Sequence, residues 1–306
     1  MSRAIAARRR AVAWVPATGG ELLQGVDEQG PVLVSLPLRR GGTVTVRLLD
    51  GGLVSGVPER PRALAALGLA LGHCGWTGGA EVLLGGEVPI GLGLGSSTID
   101  VCGAIAATFA ALRRPLPPTL LMRLATAVEP SDSSALPGLW AVDHCAARRL
   151  RPLGPAPRLQ LVLVDGGGPL DTAEVHRRWG PGEPLPAGEL QRLASALAHG
   201  DLGTIGAVAT ASARRNQHRF TNPLLESLLD AVHQEGAAGV CVAHSGCVAA
   251  ALCPTPTVAG RVRERLSAQR IPTWREEVRA AGAAVHVEGI ESVVVSGGLE
   301  PSTSRM

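Results

Sequence analysis

The passage from Glu81 to Asp100 limits this chain more than any other stretch. Glu81-Val82-Leu83-Leu84 reads as a strand, residues 85–95 as a glycine-rich loop, and Ser96-Ser97-Thr98 as the opening of a helix. Glycines let backbone N–H groups come close to a ligand, and the first helical turn adds unpaired N–H groups and the positive end of its dipole. Such a loop suits an anion, above all a polyphosphate. Ser96, Ser97 and Thr98 supply cap and ligand hydroxyls, and Asp100 is spaced to complete a capping-box-like arrangement with Ser97. Two familiar phosphate loops are excluded. The chain contains no lysine at all, so a Gly-Lys-Ser/Thr loop is impossible, as is any lysine base or Schiff base. The pattern Gly91-x-Gly93-x-Gly95-Ser96-Ser97 is not GxGxxG, and the acidic residue a dinucleotide site wants about 20 positions on is replaced by Arg113 and Arg114. An anion must therefore be held by arginine, backbone N–H groups, helix N-termini or a metal ion.

The rest of the chain supports a globular protein acting on something small. Its 306 residues, 45% hydrophobic, suffice for one large or two ordinary packed domains. There is no run of about 18 apolar residues and no signal-peptide pattern, so a cytoplasmic location away from membranes is expected. A net charge of +3 and 2% aromatic residues give no basic, stacking surface for nucleic acid; Arg3 and Arg8 to Arg10 read as a solvated tail. The six cysteines form no CxxC and read as buried free thiols. Strands are expected at 12–15, 31–36, 43–49 and 81–84, then helices at 61–73, 96–113 and 118–128. After the proline-rich stretch 151–157 a second cycle is expected. Its strands fall at 159–165, 238–243, 247–252, 283–287 and 292–295, and its helices at 188–199, 203–218, 222–235 and 257–269. A loop covers 166–188 and the tail 301–306 reads as disordered. The class is α+β, with a boundary at 152/153 separating residues 1–152 from 153–306.

Pro89-x-x-x-Gly93-Leu94-Gly95-Ser96-Ser97 is similar to the second, phosphate-binding motif of the GHMP kinases. Three further segments resemble the L-threonine kinase branch of cobalamin synthesis and propanediol utilisation. They are Val15 to Gly25, Val128 to Ser134 with Val142-Asp143-His144, and Val242 to Gly246. Ser212-x-x-x-Asn216-Gln217 is a weaker echo. The matches run in the family's order along nearly the whole chain. The resemblance implies an N-terminal ATP-binding domain like domain 2 of ribosomal protein S5 and a ferredoxin-like C-terminal domain. It also implies phosphoryl transfer from ATP, with Mg²⁺, to a small alcohol, L-threonine being the branch's substrate.

Roles follow from what phosphoryl transfer requires: a phosphate cradle, a metal, and a group that orients or deprotonates the acceptor hydroxyl. Pro89, Gly91, Gly93, Leu94, Gly95, Ser96, Ser97 and Thr98 form the cradle. Ser96 or Ser97 with Glu129 would hold the metal, as in the superfamily's pairing of a motif-two serine with a downstream glutamate. Asp132 is the candidate base, although an aspartate in a Pro-Ser-Asp-Ser-Ser loop also forms turns. Glu21 and Gln24, after a Gly19-Gly20 turn, are candidates for an amino group or for capping the next segment. Asp143 and His144 are candidate substrate ligands or a structural pair, and Ser245 and Gly246 lie in a small-residue turn near the first motif or the ligand. A hydrolase built on His244 and Ser245 lacks a GxSxG elbow. Arg214 and Arg215 could meet an anion or face solvent. The competing readings are a GHMP kinase for another small alcohol or amino acid, homoserine or a secondary-metabolite precursor, and a non-catalytic kinase-fold binding module. A homodimer stays open.

Overall fold

The computed structural model describes residues 10–52, 54–86, 88–167, 180, 182–287 and 290–294. The N-terminal arginines before Arg10, residues 168–179 of the expected loop and the tail 301–306 lie outside them. Two long strands dominate the first half: β1 (Arg10–Asp27) and β2 (Gly30–Leu49). They are antiparallel and lead on through β4 (Gly79–Gly85) to β3 (Val54–Ser55), the latter pair being parallel. The first residues of β1 alternate in burial, as a strand with one wet face should, but Val15 to Leu23 are buried throughout. The reason is that β1 is shared. Its start pairs with β11 (Ala284–Val287), itself paired with β12 (Ile290–Val294), and Glu21 bridges to β8 (Gly239–Val242). The sheet is thereby continuous, in the order β10 (Thr273–Glu277), β7 (Gln160–Asp165), β9 (Val248–Cys253), β8, β1, β2, β4, β3.

Helices α1 (Pro61–His73), α2 (Ser96–Ala111) and α3 (Pro118–Val128) cover one face of the first half. Nearly every residue of α2 from Thr98 to Phe109 is buried, which its small Ala and Gly side chains permit between the sheet and its two neighbours. Gly103 is packed so closely on Val44 that a Cβ would stand 2.4 Å from its Cγ2.

The second half contributes β7 (Gln160–Asp165), β8, β9 (Val248–Cys253) and β10 (Thr273–Glu277). Its helices are α4 (Glu189–His199), α5 (Leu202–Asn216), α6 (Leu225–Glu235) and α7 (Pro256–Ala268). Here the period-2 rule divides the side chains between two cores. Leu161 and Leu163 join the large core, while Val162 and Val164 join a second one with Leu228, Val258 and Leu266. Both faces of β7 are dry, so it reads as a continuous apolar run.

Several expectations are corrected. The Gly19-Gly20 segment is no turn: it continues β1 through a series of register shifts, because β2 and β8 both pair across it. The proline-rich stretch enters a strand, β6 (Leu150–Gly154), hairpinned onto β5 (Leu139–Val142), so position 152/153 falls inside an element. β5, β6 and β10 were not foreseen. β6 is short and proline-bearing, which a strand at the end of a sheet tolerates. No helix among the described residues is long and apolar enough to cross a membrane. All six cysteines are unpaired thiols, four of them buried.

Candidate active site

A cleft of about 750 Å³ opens where the glycine loop, the starts of α1 and α2 and the loop after α3 meet. Gly95 takes the left-handed conformation at the N-cap of α2, so Ser96 and Ser97 are the first helical residues; both line the cleft, and the helix start has no side-chain cap. The expected Ser97–Asp100 capping box is absent. Asp100 is instead held by Arg60, whose Nε and Nη2 lie 2.7 and 3.0 Å from its two oxygens. No acidic side chain stands in the first turn of α2 to satisfy the dipole.

Gly93 explains why the third motif is made of small residues. A Cβ there would lie 2.5 Å from the Cβ of Ala243 and 2.8 Å from the Cα of Gly246, and one on Gly246 would lie 2.3 Å from the Cα of Gly93. The loop and the turn after β8 are thus in backbone contact, reinforced by Val248 N donating to Leu92 O at 3.3 Å. Leu94 is buried and gives its carbonyl to Thr18 N at 3.0 Å, which ties the loop to β1. Pro89 is exposed and, with Leu94 and Gly246, does not line the cleft.

One group of lining side chains is paired and partly wet. The Ser97 hydroxyl donates to Glu129 Oε1; Arg62 donates from Nη1 to Ser97 Oγ at 3.0 Å and from Nε to Glu129 Oε2 at 2.8 Å. Burial raises the Glu129 carboxyl above its usual range, opposed by Ser97 and Arg62. α1 starts at this group, with Pro61 in its first turn and Arg60 at its N-cap. Arg60 and Arg62 went unremarked in the sequence; the Arg60-Pro61-Arg62 signature of a basic helix start was the available signal.

The other group is dry. Asp132 Oδ1 accepts from Ser134 N at 2.8 Å, and its Oδ2 stands 2.9 Å from where a Cβ on Gly95 would be. The residue both forms a turn and faces the glycine loop. Burial raises its carboxyl, with Ser134 and Thr98 opposing. Glu21, only 2% exposed, lines the same region, and burial followed by the charge of Asp132 pushes its carboxyl up to about 8. His144 and His244 meet edge to face with ring centroids 4.5 Å apart, and both line the cleft with Ser245.

The remaining sequence candidates act at one remove. Gln24 does not line the cleft; its Oε1 lies 3.0 Å from His244 Nδ1 and so orients that ring. Asp143 is likewise outside, its carboxylate accepting from the backbone of Cys145, Ala146 and Arg148 at 3.0 to 3.3 Å, which supports the structural alternative for that residue. On α5, Ser212 Oγ accepts from Gln24 N at 3.0 Å and Asn216 Nδ2 donates to Ala243 O at 3.2 Å. The weak fourth echo therefore clamps the first motif to the third. Arg214 is exposed and Arg215 pairs with Glu189, both away from the cleft.

The models for the GHMP kinases N terminal domain and the GHMP kinases C terminal match residues 61–138 and 193–271. The chain is 32% identical over 252 residues to an L-threonine kinase of Citrobacter freundii, covering 78% of this chain and 84% of that one. It is 30% identical over 247 residues to an L-threonine kinase of Salmonella typhimurium, covering 78% and 81%. A crystal structure of homoserine kinase from Cytophaga hutchinsonii superposes with a TM-score of 0.69 at 17% identity, over 91% of this chain and 97% of that one, a likeness of fold. With both halves matched in order and the glycine loop, the serine–glutamate pair and the third motif gathered at one cleft, this chain belongs to the GHMP kinases.

Proposed function

We propose that the chain phosphorylates the side-chain hydroxyl of L-threonine with ATP, releasing O-phospho-L-threonine and ADP. The observation that carries the chemistry is Asp132: a buried carboxylate with one oxygen committed to a turn and the other aimed at the N-cap of α2. The choice of threonine rests on the similarity to L-threonine kinases over about four fifths of each chain.

In this reading the γ-phosphate lies on the N–H groups of the glycine loop and the first turn of α2, where backbone donors and the helix dipole stabilise developing negative charge. Asp132 takes the proton of the acceptor hydroxyl as its oxygen bonds to the γ-phosphorus. The bond from that phosphorus to the β,γ-bridging oxygen breaks, and its electron pair leaves with ADP. Arg60 and Arg62 flank the cleft and supply the positive charge that lysine provides elsewhere.

Ser97 and Glu129 would hold Mg²⁺. Their contact fits: a hydroxyl beside a single carboxylate already draws the guanidinium of Arg62, and it suits a cation that takes few protein oxygens and keeps water and phosphate ligands, with Arg62 passing to the phosphates. When bound, Mg²⁺ would neutralise phosphate charge as it builds up during transfer.

ADP formation measured against L-threonine, L-serine, L-homoserine and a panel of amino alcohols tests this. Threonine is expected to give the highest kcat/KM. Preference for homoserine would replace the acceptor, and absence of Mg²⁺-dependent turnover on every acceptor would leave the binding-module reading.

A further inference from the structure

We infer that Glu21 is the specificity residue of the acceptor site, reading an ammonium group, so that the site takes cationic amino compounds and rejects hydroxy acids that lack the amine. The inference rests on the kinase reading above and narrows its acceptor class.

Three observations point this way. Glu21 lines the cleft yet is 2% exposed, and its Oε2 has no hydrogen-bond partner among the described residues. A buried carboxyl oxygen without a donor, on a residue that lines a cavity, is completed by a ligand or water. The cations of the cleft stand on its phosphate side, Arg60 paired with Asp100 and Arg62 with Glu129 and Ser97. Around Glu21 stand a second carboxyl, Asp132, and the imidazoles of His144 and His244, with no arginine among the lining residues on this side. Two carboxyls sharing a dry space cannot both ionise without a counter-charge, so they favour a ligand that brings a cation over a purely anionic one. The imidazoles are the groups there that can face the acceptor's carboxylate.

The same arrangement makes binding release a proton. The groups facing Glu21 are Asp132 from the loop after α3, Ser35 on β2, Cys241 on β8, and His144 and His244 after β5 and β8. Asp132 and burial keep the Glu21 carboxyl protonated at neutral pH, its value being about 8, and Ser35 opposes this. An ammonium group favours the ionised form, so its arrival expels the proton to solvent.

The test is calorimetry on the full chain with L-threonine, 1-amino-2-propanol and 3-hydroxybutyrate, in buffers of different ionisation enthalpy at pH 7. The two amines are expected to bind, 3-hydroxybutyrate to bind roughly 30-fold or more weakly, and threonine to release close to one proton. Glu21→Gln, similar in size, should abolish the release and weaken threonine roughly 30-fold while leaving ATP affinity unchanged. Equal binding of threonine and 3-hydroxybutyrate overturns the inference and leaves the threonine kinase reading standing, a result that needs no variant. So does a Glu21→Gln chain with normal ATP and threonine affinity. Binding of 1-amino-2-propanol without turnover of threonine supports the inference and removes threonine as substrate. Phosphorylation of an amine-free acceptor, with neither amine bound, overturns both.

Discussion

The two sides of the cleft are built on different principles. On one side Arg60 and Arg62 neutralise Asp100 and Glu129 in direct ion pairs, with Ser97 hydrogen-bonded to Arg62 and Glu129 and the arginine side chains 26% and 37% exposed. On the other, Glu21 and Asp132 are buried with no arginine salt bridge to either among the described residues. The first side is partly wet, and suits a highly charged ligand that exchanges partners with existing ion pairs. The second is an unbalanced dry pocket, which favours a ligand bringing its own charge.

The largest effect expected from breaking this contrast is at Asp132. Asp132→Asn keeps the shape of the dry side but removes its base, and should lower kcat by about 10²- to 10⁴-fold with ATP affinity retained. Steady-state kinetics with a separate nucleotide titration would show this; equal losses in both would place Asp132 on the nucleotide side instead. Next is the seam between the glycine loop and the third motif. Gly93→Ala puts a Cβ 2.5 Å from the Ala243 Cβ at a φ of +89°, and should cost roughly 2–4 kcal/mol in urea unfolding. Ser212→Ala leaves the buried N–H of Gln24 without its acceptor and is expected to cost about 1–3 kcal/mol by the same measurement. It should raise the acceptor KM through Gln24 and His244, with little change in that for ATP.

The electrostatic contrast can be sharpened by pH. The Glu21 carboxyl sits at about 8 in the fold against 4.5 for the free group, so between those values the folded chain holds a proton that the unfolded chain releases. Its stabilising contribution is full below about 4.5 and is lost as pH rises through about 8, with a slope of at most about 1.4 kcal/mol per pH unit. Urea midpoints across this range should flatten in Glu21→Gln. The smallest effect belongs to an ion pair outside the cleft. Arg39, with its side chain 70% exposed opposite Glu277, should tolerate alanine at about 0.5 kcal/mol or less, with kinetics unchanged.

How much of this was legible depends on sequence distance. The strand–loop–helix passage is local: Glu81 to Ala111 carries its own β pattern, glycines and helix start, and the structure follows it closely. The buried α2 and the two-faced β7 also declare themselves through small or continuous apolar residues. The strand character of Val15 to Gln24 did not, because its glycines and polar residues suit a turn until β2 and β8 pair with them from both sides. β5 and β6 were missed for the same reason: the ladder that stabilises Trp140 and Pro152 lies in the partner strand. Arg60 and Arg62 read as an ordinary basic helix start, and only the packing of α1 against α2 and α3 brings them to Asp100 and Glu129.

By itself the sequence determined the chemistry open to this protein. The absence of lysine, the alternating glycines before Ser96 and Ser97, and Glu129 and Asp132 in one short segment leave anion binding by backbone and arginine beside an acid that can hold a metal or take a proton. These are properties of residue type and near spacing, which no fold can alter. The tertiary structure alone decided which acids are neutralised and which are not. Glu21 and Glu129 are the same residue type, yet one meets Arg62 and the other meets Asp132 in a dry wall, because β1, the loop after α3 and the turns after β5 and β8 converge there. Burial and neighbouring charge set a carboxyl's protonation, and both come from contacts among residues far apart along the chain.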